Sequence, residues 1–186
     1  MATTSKYIQS VMKAQGGRPR STQWYRDKIK EFGEPGAQDL IRDGKRASSP
    51  FYGKLNMFFY NPKHRKTLPY YDTFPLVLPL ENYSDGFLGI NLHYLPIGLR
   101  VKLLDRLVDF SNNVKFDEST RLMVDYKKVQ NIGLIRPTIH KYLKGHTMSQ
   151  FRKIDADEFT VATLLPVQRF KKASAKEVWK ESRSMI

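Results

Sequence analysis

Residues 57–80, MFFYNPKHRKTLPYYDTFPLVLPL, decide how the chain is read. An apolar, aromatic start runs into Asn61-Pro62, which ends a strand because proline cannot donate to a ladder. Lys63, His64, Arg65 and Lys66 follow, then Tyr70, Tyr71 and Asp72, and the stretch closes on leucines punctuated by prolines. The reading is strand, basic turn, strand. Residues 56–60 form the first strand and residues 75–80 the second, with Pro79 marking an edge strand or a bulge.

Working outward, residues 86–95 (GFLGINLHYL) are the next strand, reached through ENYSDG, whose Asp85-Gly86 pair favours a turn. Gly86 and Gly89 then serve the turn and close strand packing. Residues 96–113 have helical periodicity, with Pro96 at the start and Leu99, Leu103, Leu107 and Phe110 on one face. Val101, Leu104 and Val108 widen that face, and Arg100, Lys102, Asp105, Arg106 and Asp109 fall on the remainder. A second helix is expected from Pro137 to Lys144, stopped by Gly145. Residues 148–154 and 158–167 read as paired strands. Ser174 and Glu177 have capping-box spacing and open a last helix anchored by Val178 and Trp179. The sum is an α+β fold: a small antiparallel, barrel-like sheet with packed helices over residues 51–186. A basic N-terminal arm of short helices, residues 1–50, precedes it.

A chain of 186 residues with 40% hydrophobic content can bury a sizeable core. No run approaches the roughly 18 apolar residues of a membrane span, and the start lacks the apolar stretch of a secretory signal. The expectation is synthesis in the cytoplasm and no membrane partner. The absence of cysteine excludes disulfides, thiolate metal sites and a cysteine nucleophile. The four histidines have no common metal-ligand spacing, so no metal and no cofactor is expected.

Charge is the strongest signal: 32 Lys and Arg against 18 acids give +14, with a pI near 9.9. Such a surplus favours a polyanionic partner. It is concentrated towards both ends of the chain, whereas residues 67–120 carry seven acids against four cations. Arg18, Arg20, Arg26 and Lys28 surround Trp24 and Tyr25, a combination suited to phosphate neutralisation with ring stacking. The same rings would equally dock the helix on its own domain. Lys63, Arg65 and Lys66 form a second candidate patch, which reads equally as a solvated loop, and Arg169, Lys171 and Lys172 a third, whose lysines also read as plain surface charge. No zinc finger, helix-turn-helix or RNA-recognition signature accompanies them, so binding would ignore base sequence.

Candidate acids and bases are Asp72, Glu81, Asp85, His64, His93 and His140. His64 reads as a solvated turn histidine, His93 as a structural one, and Asp72 as a turn cap or a partner for a cation. The acids are scattered instead of clustered as a metal-dependent nuclease requires. GFLGIN is not a phosphate-binding loop. The chain is therefore read as a non-enzyme.

Residues 57–80, followed by GFLGINLHYLP and the closing RFKKASAKEVWKESR, resemble the DNA end protector or head-completion family of T4-like tailed bacteriophages. The resemblance implies a virion protein, made in the host cytoplasm, that binds double-stranded DNA ends through their phosphates, shields them from exonuclease and meets other virion proteins. Two further readings stand beside it. One is a structural neck, tail or baseplate component docking on acidic neighbours. The other is a small barrel-type endoribonuclease acting through His64 or His93.

Overall fold

The computed structural model describes residues 45–110, 126–154, 163 and 167–186. The strands are β1 (Arg46–Ala47), β2 (Leu55–Met57), β3 (Tyr71–Asp72), β4 (Leu76–Tyr83), β5 (Gly86–Asn91), β6 (Ile139–Leu143), β7 (Phe151–Ile154) and β8 (Phe170–Lys171). The helices are α1 (Ile97–Phe110), the single turn α2 (Tyr126–Val129) and α3 (Ala175–Met185), with short 3₁₀ turns between. Six strands pair antiparallel in the order β1-β7-β2-β4-β5-β6, and β3 pairs with β8 in a separate ribbon.

The expected barrel is not there. Among the described residues β1 and β6 are the two free edges of an open sheet. A barrel needs those edges to meet, and among the described residues no pairing joins β1 to β6.

Alternation along the strands divides the core in two. Leu55, Met57, Leu76, Leu78 and Ile90 face an aliphatic layer completed by Leu103, Leu104 and Leu107 of α1. Phe58, Val77, Phe87, Tyr142 and Phe151 form a smaller aromatic layer on the other face, with Tyr60 at its rim. The β4–β5 hairpin closes as its Asp85-Gly86 pair requires, and the register shifts between Pro79 and Glu81. Pro79 therefore sits at an irregularity, not on an edge strand, since β4 lies between β2 and β5. A Cβ on Gly86 would collide with the Tyr142 carbonyl, so β6 can approach this corner because glycine occupies it.

Two expectations are corrected. Residues 137–144 are not a helix: a 3₁₀ turn over Gly133–Thr138 leads into β6, which pairs with β5 along its length. Partners on β5 satisfy the backbone and override the helical punctuation of Pro137 and Gly145. Arg100, placed on the outer face of α1, is fully buried. Its guanidinium donates to the Leu95 carbonyl (2.8 Å) and the Gln168 side chain (3.0 Å), and lies 5.6 Å from the Trp179 ring. Of the strands expected over 148–154 and 158–167, the first is β7, which pairs with β1 and β2. The second falls largely outside the described residues.

The capping box of α3 is formed as its sequence predicts. Ser174 Oγ accepts from the Glu177 amide, and the Glu177 carboxylate accepts from the Ser174 amide. Val178 is buried beneath the helix, and Trp179 donates to the His93 carbonyl at 2.9 Å. Ser174→Ala should therefore lower stability by about 1 kcal/mol, a fall in Tm of roughly 2–4 °C by calorimetry.

Candidate functional site

The basic turn of residues 61–70 is built by its own backbone. The His64 carbonyl accepts from the amides of Thr67 and Leu68, both at 3.0 Å, and the Pro62 carbonyl accepts from Arg65 at 3.2 Å. Arg65 also reaches back to the Asn61 side chain at 2.9 Å. At the base of the turn the Asn61 amide donates to the His146 carbonyl, fixing its departure from the sheet. Lys63, His64, Arg65 and Lys66 are all exposed.

The C-terminal cations meet this turn from more than 100 positions away in sequence. β3 pairs with β8, opposing Tyr71 to Lys171 and Asp72 to Phe170. Lys172 then donates through Nζ to the carbonyls of Lys66 and Leu68, each at 2.8 Å. Its backbone is left-handed, with φ of 69°, a conformation that costs a non-glycine residue about 1 kcal/mol. The two carbonyls reached by the side chain offset that cost. Arg169 lies over the rings of Phe59 and Phe74, 5.6 and 5.2 Å from their centroids. The two patches read separately from sequence thus meet where Lys172 reaches the backbone of Lys66 and Leu68, and Lys63, Arg65, Lys66, Arg169, Lys171 and Lys172 are all exposed. Arg18, Arg20, Trp24, Arg26 and Lys28 lie outside the described residues.

Asp72 supports this surface from below. Its carboxylate is buried and accepts from the Phe74 amide (3.0 Å), the Arg169 amide (3.1 Å), His93 Nδ1 (2.7 Å) and Asn91 Nδ2 (3.4 Å). Burial alone would raise its pKa, but His93 and the two amides outweigh it and hold the carboxyl below the usual range. His93 is fully buried, and its own pKa is pushed down by that burial against the pull of Asp72. It is a strut of the fold, out of reach of a substrate. His64 stands on the exposed turn among cations. Among the described residues no group of three His, Asp or Glu is placed to hold a metal ion, and no helix is long and apolar enough to cross a membrane.

Next to the basic turn opens a cleft of about 610 Å³. Tyr60 and Tyr142 of the aromatic layer form part of its lining, with Tyr70, Tyr94 and His140 beside them. Tyr94 and His140 are in ring contact, 4.0 Å between centroids. Burial lowers the His140 pKa to about 4, and its Nε2 contacts the Pro137 carbonyl at 3.3 Å. Burial, then the hydrogen bond and charge of Glu181, push the Tyr70 hydroxyl up to about 12. Sequence reading missed Tyr60, Tyr94, Arg136 and Tyr142 as site residues. The alternation His140-x-Tyr142 would have pointed to two of the cleft's rings, had residues 139–143 been read as a strand.

Asp72→Ala leaves His93 and two amides without their acceptor in a dry interior. It should cost about 3 kcal/mol in urea unfolding and expose the 63–66 turn to limited proteolysis. A pH dependence follows from the lowered histidines. The unfolded chain takes up a proton on each near the ordinary histidine value of 6.5, while folded His140 resists until about 4. Stability should therefore fall as pH drops from about 6.5 towards 4. His140→Phe should remove one proton from that dependence, measured as the slope of unfolding free energy against pH. Asp72, depressed in the folded state, adds a further loss below its ordinary pKa of 3.8.

Residues 4–182 match the family described as phage T4 terminal DNA protecting protein, so the chain belongs to that family. No curated protein and no solved structure matches it significantly.

Proposed function

We propose that this chain, as a member of the terminal DNA protecting family, acts without catalysis within the virion. It seats on the ends of packaged double-stranded DNA, denies them to exonuclease, and by occupying that position serves head completion. The observation that carries the reading is the contact between two exposed basic segments, the turn bearing Lys63, Arg65 and Lys66 and the ribbon end bearing Arg169, Lys171 and Lys172. Neighbouring segments of like charge raise the local positive potential, and a phosphate backbone is attracted there while releasing counterions. These six cations sit on a turn and at a two-stranded ribbon, not on a helix of the kind that enters a major groove. That arrangement favours backbone contact without base readout. In the same reading Arg18, Arg20, Arg26 and Lys28 of the basic arm extend the phosphate contacts, and Trp24 adds a stacking ring.

Two measurements test this. Binding to linear duplex should weaken steeply with salt, and Lys63→Ala/Arg65→Ala/Lys66→Ala should lower both the affinity and the salt slope. The slope should drop by about 0.9 for each phosphate contact removed. On linear DNA challenged with an exonuclease the wild-type protein should preserve full-length product and the triple variant should not. Absence of duplex binding at low salt, or exonuclease digestion unchanged by the wild-type protein, sinks the proposal.

A further inference from the structure

The six-cation surface accounts for attraction to DNA but not for a preference for its ends, since every duplex position offers the same phosphates. An end differs in presenting nucleotides that are free to leave the stack. We infer that the aromatic cleft beside the basic turn holds one unpaired nucleotide of the DNA end, its base against the rings and its phosphate at the cationic mouth. The inference rests on the DNA-end reading above and assigns it a site.

Size, lining and charge each support this occupant. A volume of about 610 Å³ falls in the roughly 300–1,000 Å³ range of small-ligand sites. A single nucleotide is of that scale and a duplex is not. Tyr70, Tyr94 and His140 lie in one aromatic chain, with Tyr70 and Tyr94 at 6.0 Å and Tyr94 and His140 at 4.0 Å between centroids. Such rings accept any base, because every base has a π-face. His140 is held neutral by burial, so it adds an aromatic face to the wall, not a charge.

The mouth carries Lys63, His64 and the exposed Arg136. Lys141 is there too, although Asp85 engages it at 2.8 Å. Two carboxylates share the lining, Asp72 below the surface with its charge acting on Tyr94 and His140, and Glu181 against the Tyr70 hydroxyl; the three cations Lys63, Arg136 and Lys141 outnumber them. Lys63 belongs both to the basic surface and to the cleft lining. The basic turn and the cleft therefore share a cation, which places a phosphate held by the turn beside the cleft.

The test uses the full chain and short duplexes closed at one end by a base-free polyether linker. The other end is blunt, closed by the same linker, or carries a 5′ or a 3′ overhang. Fluorescence anisotropy should show about tenfold tighter binding to an overhang than to the fully closed duplex, the worth of one stacked base. The two overhangs distinguish which strand supplies the nucleotide. Arg136→Ala, at an exposed position, and Tyr70→Leu should each cut the preference to about twofold or less. Arg106→Ala, an exposed charge on α1 outside the cleft, should leave it intact. A 5-iodouracil at the overhang terminus should photocrosslink to residues 60–71, 94 or 136–143 of the wild-type protein, a readout that needs no variant to fold. Equal binding to all four ends, a preference that survives Arg136→Ala, or crosslinks confined elsewhere would overturn the assignment. A protein that protects DNA without overhang preference loses the cleft's role but keeps end protection. One that binds no duplex loses both.

Discussion

The buried carboxylate of Asp72 is the constraint on which the rest of the structure depends. It joins three stretches far apart in sequence: its own strand β3, the residues entering β8, and the 3₁₀ turn that follows β5. An ionised carboxylate in a dry interior is costly to desolvate, and it persists because every approach to it is a donor. The geometry that satisfies it is also what closes the basic turn. With Arg169 fixed to Asp72, β8 runs beside β3, and Lys172 is delivered to the carbonyls of Lys66 and Leu68. Cations that repel across the surface are thus held together by an anion and a set of carbonyls beneath it. Structural cohesion lies on the inner side, which leaves the outer side free to serve a polyanion.

Much of the fold was legible where the signal is local. The leucine periodicity of α1, the Asp85-Gly86 turn and the Ser174–Glu177 capping box each lie within a few residues, and local physics suffices to form them. The bulge at Pro79 was legible for the same reason. The failures share the opposite property. Residues 139–143 became a strand because β5 was available to pair, an acceptor some fifty residues away that no window reveals. Arg100 was assigned to water because a helical wheel places charge outside, yet its partners are the Leu95 carbonyl, Gln168 and Trp179. Whether the sheet closes rests on which strands pair at its edges, a matter of topology that periodicity does not carry.

The site was legible as ingredients and not as an arrangement. The two cation clusters were visible as composition, but their union required a ribbon between residues 71–72 and 170–171. The cleft was hidden because its rings come from four separate places in the chain: Tyr60, Tyr70, Tyr94, and the pair His140 and Tyr142 on β6. Each of these is, singly, an ordinary aromatic of a folded domain. They become a candidate binding wall where the aromatic layer of the sheet runs out from under the basic turn.

That junction is where a protector of DNA ends has most to gain. Phosphate contacts act at long range and pull in any duplex, but they are equal along its length and leave the protein free to slide. A protein built from such contacts alone would spread along packaged DNA in proportion to its mass, with little reaching the termini. Stacking contacts act at short range and need a base with an open face, which an intact duplex supplies at its ends and at few other places. Setting the second kind of contact at the border of the first turns diffusion along the backbone into a search that stops at the terminus. The same logic explains why the cleft should carry rings in preference to hydrogen-bonding side chains. A protector has to accept whatever base the end presents, and a π-face is the feature all four share.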